Sequence, residues 1–211
     1  MKKIVFILFI CAIGLTKLNA QESKGKFAFD FNFDPAAIFD ASAGSMFEMP
    51  YIKGRYFIVS DLSVRVGIGL GFGGDKNYPN PATDDYTKTS SSLFSIAPGI
   101  EKHFGGDKFT VYVGGEIPFT TYSTKIETKV GTTTTESENL NGGYIGFGFN
   151  IVAGFDYYIF ENLYVGAEFA PGFLYNKDKE VTVAGTITQK ASTNYNFGLN
   201  ATSGIRIGIR F

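Results

Sequence analysis

Apolar and small or polar side chains alternate, residue by residue, along eight stretches of the chain. In 26–33, Phe27, Phe29, Phe31 and Phe33 are separated by Ala28, Asp30 and Asn32. In 62–73, Val64, Val66, Ile68, Leu70 and Phe72 alternate with Ser63, Arg65, Gly67, Gly69 and Gly71. Along 109–119, Val111, Val113 and Ile117 point away from Tyr112, Gly114 and Glu116. The stretch 144–159 sets Ile145, Phe147, Phe149, Ile151, Phe155 and Tyr157 against Gly146, Gly148, Asn150, Gly154 and Asp156. Phe197, Leu199, Ile205, Ile207, Ile209 and Phe211 do the same against Asn196, Arg206, Gly208 and Arg210 in 195–211. A period of two is the signature of a strand with two unlike faces. Adding 50–59, 92–104 and 163–175, which alternate more weakly, gives eight strands.

Connection lengths alternate as well. Ser60-Asp61, Gly105-Gly106-Asp107 and Glu161-Asn162 are tight turns, and 34–49, 74–91, 123–142 and 176–193 are long polar stretches. An even strand number puts both chain ends on the short-turn side. The apolar faces sum to roughly 40 large side chains, far more than the interior of an eight-stranded barrel holds, so they must face outward. Only hydrocarbon accommodates such a surface. The expectation is an all-β fold, an eight-stranded antiparallel up-and-down transmembrane β-barrel with short periplasmic turns and long external loops. Tyr122, Tyr144, Phe173, Tyr175 and Tyr195 near the long connections, with Phe104, Phe109, Tyr157 and Phe160 near the short turns, read as two interfacial girdles.

Two of the long connections carry strand chemistry of their own. Thr124 to Val130 leads through Gly131 into Thr132-Thr133-Thr134-Thr135, and Val181-Thr182-Val183 leads through Ala184-Gly185 into Thr186-Ile187-Thr188. β-Branched residues about a glycine read either as solvated, flexible low-complexity loops or, more sharply, as two hairpins rising beyond the barrel wall. The exposed edge of such hairpins can pair with an extended segment of an extracellular protein partner.

Residues 1–20 read as a secretory signal. Lys2 and Lys3 precede an apolar core from Ile4 to Leu15, and Leu18-Asn19-Ala20 ends in a small residue. That core is too short to span a bilayer as a helix. The mature barrel domain is then 21–211, and the single cysteine, Cys11, leaves with the leader. A formal charge of -1 provides no basic footprint for nucleic acid. One Cys and one His give no metal-ligand set, so neither a metal site nor a cofactor is expected.

Charges on the small-residue face are the candidate site. Asp30, Glu101, Glu116, Asp156 and Glu168 are five acids, and Lys53, Arg55, Arg65, Arg206 and Arg210 are five bases. Inside an eight-stranded ring they are expected to neutralise one another as a lumen ion-pair network, because buried charges must be paired. Arg65 and Glu101 fall at similar height on consecutive strands. Parity is weakest in the second strand, where Phe57 would also point inward. Glu116 and Glu168 are the central candidates for a catalytic carboxylate pair, and His103 is the one conventional general base, with Ser63 as the inward serine nearest its height. His103 lies beside the Gly105-Gly106 turn, which reads as an interfacial position, so no catalytic residue is assigned. The glycines from Gly67 to Gly74 occur mostly at every second residue with no helix after them, which is a strand face and not a phosphate-binding loop.

Taken together, Tyr51-Ile52-Lys53-Gly54-Arg55-Tyr56-Phe57, the run from Leu62 to Gly71, Pro98-Gly99-Ile100-Glu101 and the terminal Ile209-Arg210-Phe211 give the mature chain a family likeness. It resembles the small outer-membrane β-barrels, the OmpA transmembrane-domain and OmpX-like group, and most of all the outer-membrane β-barrel domain proteins of Bacteroidetes. The resemblance implies an outer-membrane location after signal cleavage, contact with outer-membrane lipid, and a terminal aromatic, Phe211, presented to the barrel insertion machinery. It also implies a non-enzymatic structural or surface-interaction protein with a plugged lumen. The alternatives are an outer-membrane lipid-modifying enzyme and a narrow small-solute channel.

Overall fold

A computed structural model describes residues 24–33, 51–80, 83–198 and 205–211. The expected leader and the whole of the stretch 34–49 lie outside these residues. Alternating β-branched and aromatic residues hold the backbone extended, and the described residues form fourteen strand segments and no helix. In order these are β1 (Phe27–Phe33), β2 (Tyr51–Val59), β3 (Leu62–Asn77), β4 (Tyr86–Gly105), β5 (Phe109–Glu116), β6 (Phe119–Val130) and β7 (Thr133–Glu138). There follow β8 (Tyr144–Tyr158), β9 (Leu163–Phe169), β10 (Gly172–Asp178), β11 (Val181–Val183), β12 (Thr186–Gln189), β13 (Thr193–Gly198) and β14 (Ile205–Arg210).

The pairings return to their start. β1 pairs with β2, β2 with β3, β3 with β4, β4 with β5, β5 with β8, β8 with β9, β9 with β14, and β14 with β1, all antiparallel. This ring of eight is at the short-turn end. Phe211 joins it through its backbone, donating to the Phe27 carbonyl at 2.9 Å and accepting from the Phe27 N–H at 2.7 Å.

Toward the other end two wall strands continue past a proline. β5 runs on as β6 beyond Ile117-Pro118, and β9 as β10 beyond Ala170-Pro171. Proline lacks a donor and interrupts the ladder, yet register is kept: Glu116 faces Gly99 and Phe119 faces Ile96, the same separation on both strands. Parity therefore carries through each break.

Outside and inside are inverted relative to a water-soluble protein. Phe27, Phe29, Phe31, Phe147, Phe149 and Phe155 are exposed, whereas Asp30, Lys53, Glu101 and Arg206 are fully buried. Such a surface is stable in hydrocarbon and not in water. Exterior rings touch across strands, as in Phe27 with Tyr56 (centroids 4.7 Å apart) and Phe147 with Tyr175 (5.2 Å).

Three expectations need correction. The polar stretch 74–91 is mostly strand: β3 and β4 stay paired from Leu62–Lys102 out to Asn77–Thr87. Tyr122 and Tyr144 are not on the outer face. They form a cross-strand pair one position beyond the outward pair Thr121–Ile145, so both fall on the inward parity, with rings 5.8 Å apart. His103 is not interfacial but buried inside the ring, on the same parity as Glu101.

Both hairpins are present. Gly131 starts the β6–β7 turn at φ 57°, and Ala184 (φ 49°) and Gly185 (φ 78°) form the β11–β12 turn. Two successive positive φ angles match the strand twist of a two-residue hairpin, although alanine adopts them at a cost that glycine avoids. The hairpins also pair with each other, Thr182 opposite Glu138 and Val183 opposite Ser137. One sheet, in the order β3-β4-β6-β7-β11-β12, thus extends the wall beyond the ring. Its tip is tied to the 78–85 connection, where the Asp85 carboxylate accepts from Gly131 N–H at 2.7 Å.

Candidate functional site

Nine of the ten charged residues on the inward face meet in one cluster. Lys53 Nζ donates to both oxygens of Glu168 at 2.8 and 2.7 Å. Arg55 reaches Asp30 at 2.6 Å and Asp156 at 2.7 Å. Arg65 lies 2.5 Å from Glu101, 2.9 Å from Glu168 and 3.0 Å from Glu116. Arg206 is 2.6 Å from Asp156 and 3.4 Å from Glu168. Arg210 stands apart, its guanidinium 4.3 Å over the Tyr158 ring and donating to the Glu161 carbonyl at 3.2 Å.

Arg55 and Arg65 are directly opposite in register. Like charges placed so repel, and each guanidinium turns to a largely different set of acids. Tyrosine rings separate the cations further: Arg55 lies 5.2 Å from the Tyr164 centroid and Arg206 5.0 Å from that of Tyr112.

Glycines determine how these side chains meet. Gly154 on β8 faces Tyr112 on one side and Glu168 on the other, and the Tyr112 hydroxyl donates to Glu168 across it at 2.7 Å. Gly208 on β14 faces Tyr164 and Asp30, joined at 2.9 Å. Gly166 on β9 faces Asp156 and Arg206, 2.6 Å apart. Gly99 on β4 faces Arg65 and Glu116, 3.0 Å apart. Each partner pair spans the strand between its members. A Cβ at Gly154 or Gly208 would overlap the tyrosine ring above it.

Sequence reasoning placed the charges on one face by parity but missed these spans, which depend on inter-strand register. It also missed Tyr112 and Tyr164 as members of the cluster, although both share parity with their charged neighbours. Phe57 is buried and inward, its ring 5.0 Å from His103.

Chemically each carboxylate of the cluster is ion-paired, although the buried Nε atoms of Arg65 and Arg206 have no hydrogen-bond partner. Glu168, one of the two central carboxylates, accepts from Lys53, Arg65 and Tyr112. Glu116 accepts from Asn150 at 2.9 Å and faces Arg65. Ser63, His103 and Glu101 come together, yet Nε2 of His103 is 3.2 Å from Ser63 Oγ and 3.1 Å from Glu101 Oε2. A relay needs serine and acid on opposite ring nitrogens. Here both compete for one. Among the described residues no group of three or more His, Cys, Asp or Glu is placed to hold a metal ion.

The protruding sheet is polar and solvated. Lys76 Nζ lies 3.9 Å over the Tyr86 ring, and the Tyr86 hydroxyl donates to the Glu127 carboxylate. The Glu136 carboxylate, 2.8 Å from Lys125, holds that ammonium above the usual lysine value.

No curated protein matches the chain. Among solved structures it is similar to the N-terminal β-barrel domain of Pseudomonas aeruginosa OprF, at 13% identity and a TM-score of 0.36 over 90% of this chain and 100% of that one. It is also similar to the outer membrane protein OprG from Pseudomonas aeruginosa, at 10% identity and a TM-score of 0.42 over 90% and 98%. The model of the OmpA-OmpF-like porin family matches residues 37–211. With an apolar exterior, a polar interior and that match over most of its length, the chain belongs to the OmpA-OmpF-like porin family of outer-membrane barrels.

Proposed function

We propose that this chain is an integral outer-membrane barrel that is filled rather than conducting, and that acts at the cell surface through its protruding sheet. The observation that carries the reading is the pairing of β7 with β11, which turns two separate hairpins into one platform continuous with the wall. A flexible pair of loops would not need that register. The outer strand of the platform, β12, has all four residues exposed. Its outer edge takes an extended segment of a partner protein by strand addition, where backbone bonds supply affinity and alternate side chains supply selectivity.

Support for a filled interior comes from the paired charges and the two tyrosines, since eight strands leave room for little more than packed side chains. No catalytic step is assigned, because Ser63 and His103 lack the geometry of a relay. Export with removal of residues 1–20, and recognition of Phe211 by the insertion machinery, complete the proposal. The test is replacement of 126–135 or 181–188 by a tight turn, followed by crosslinking in living cells from cysteines on the remaining external residues. Both truncated proteins should fold and lose their crosslinked partner. Retention of every partner by both would refute the assignment.

A further inference from the structure

The outward wall just above the apolar band contains a recess of about 400 Å3, lined in part by Ser90, Ser123, Lys125, Glu138 and Lys179. Its position follows from register. Phe119 and Phe147 form an outward pair, Thr121 and Ile145 the next, and Ser123 and Lys125 continue on that parity. Lys179, beyond the end of β10, reaches over Gly143 and donates to Thr121 Oγ1 at 3.0 Å and Ser123 Oγ at 2.5 Å. Among the described residues no carboxylate lies within 4 Å of its ammonium. Lys125 sits opposite Glu138 in register but takes Glu136 instead, at 2.8 Å. Glu138, in turn, has no cation within 4 Å among the described residues.

Beside the paired Lys125, the recess therefore holds one ammonium and one carboxylate that are in no ion pair among the described residues, on the lipid-facing side of the wall and continuous with its apolar band. We infer that it binds a lipid headgroup bearing both charges: a phosphodiester received by Lys179 with the neighbouring hydroxyls, and a primary amine received by Glu138. A phosphoethanolamine headgroup has that chemistry. An ammonium offers three donors, and Lys179 uses two on Thr121 and Ser123, leaving one for a phosphate oxygen. Charge-assisted bonds of this kind are the strong ones. A purely anionic headgroup would meet Glu138 without compensation, and a quaternary amine would bring no N–H for the carboxylate to accept. The acyl chains would continue down over Phe119 and Phe147. The inference rests on the proposed orientation, with the hairpins outside.

The experiment uses the full mature barrel, reconstituted in vesicles and released into the gas phase for mass measurement of retained lipid. Three vesicles are compared, containing phosphatidylethanolamine, phosphatidylglycerol or phosphatidylcholine with the same acyl chains. The wild type should retain the ethanolamine lipid over both others by roughly tenfold, the ratio that about 1.4 kcal/mol produces. Lys179→Gln keeps a donor for the two hydroxyls and should lose retention of all three, while Lys179→Arg should restore it. Glu138→Gln should keep lipid but lose the preference for ethanolamine over glycerol. Equal retention of all three lipids by the wild type, stronger retention of phosphatidylglycerol, or displacement by millimolar inorganic phosphate would overturn the assignment. Because both leaflets of such vesicles carry the lipid, the outcome does not depend on orientation in cells. That reading is checked separately by labelling Lys129→Cys in intact cells with a membrane-impermeant thiol reagent, where absence of labelling counts against it.

Discussion

The hydroxyl of Tyr112 donates to Glu168 at 2.7 Å across a strand that contributes only Gly154 between them. Tyr164 does the same to Asp30 across Gly208. An aromatic ring laid over a glycine fills the space its missing side chain leaves, and the hydroxyl then reaches an acid two strands away. Each acid is thereby fixed where a guanidinium also meets it. The glycines on the inward face are thus part of the charge network: they allow opposite charges on next-nearest strands to touch.

A side chain at Gly208 should displace the Tyr164 ring. Gly208→Ala is expected to lower stability by about 1–3 kcal/mol, the usual cost of overpacking. The reading is the urea midpoint of the change in gel mobility between folded and heat-unfolded protein. In a Tyr164→Ala background the same substitution should cost much less, because the ring that it strikes is gone.

Arg65 touches three acids, so its removal leaves buried carboxylates without their shared cation. Arg65→Ala should destabilise the barrel by about 3–5 kcal/mol. In planar bilayers the wild type should show no stable conductance, since its interior charges are paired with one another. Robust single-channel currents from the native protein would be incompatible with a filled interior.

Much of the fold is legible because a period of two ties each residue to a face. Asp30, Lys53, Arg55, Arg65, Glu101 and the other predicted charges are all buried in the structure, and parity alone separates them from the phenylalanines. Legibility ends where lipid ends. Thr87, Thr89 and Ser90 to Ser92 are strand, but no apolar face alternates with them, so the period vanishes although the ladder continues. His103 shares the parity of Glu101, a signal that its closeness to a turn overrode. The spans over Gly99, Gly154, Gly166 and Gly208 depend on register between neighbouring strands, as does the pairing of β7 with β11. One strand read alone carries neither.

His103 packs between the Phe57 and Tyr112 rings, 5.0 and 5.4 Å away, and shares Nε2 between Ser63 and Glu101. Its expected role is to fill and bond at the short-turn end. His103→Gln keeps a donor for Glu101 and should leave the lipid A composition of cells unchanged, measured by mass spectrometry of extracted lipid. A shift in acyl-chain number or phosphate content would instead mark the residue as part of a lipid-modifying site.

Joining of the two hairpins can be tested by a covalent bridge. Ala184 N–H bonds to the Glu136 carbonyl at 2.9 Å, which makes Ala184–Glu136 a hydrogen-bonded pair. Alternation then makes Val183–Ser137 a non-hydrogen-bonded pair, the closer kind, with Cα atoms about 4.5 Å apart. That separation suits a disulfide. The only native cysteine, Cys11, lies in the predicted leader, so Ser137→Cys with Val183→Cys introduces the only two thiols beyond residue 20. Oxidation should close the bridge rapidly and almost completely, seen as a mobility difference between reduced and non-reduced samples. Ser137→Cys paired with Ile187→Cys, which is on β12 beyond the intervening strand, should crosslink poorly. If the second pair closes as readily as the first, the hairpins move independently and β12 is not the outer edge of a platform. If only the first closes, the bridged protein should still bind the proposed surface partner, because among the described residues β12 pairs with β11 alone.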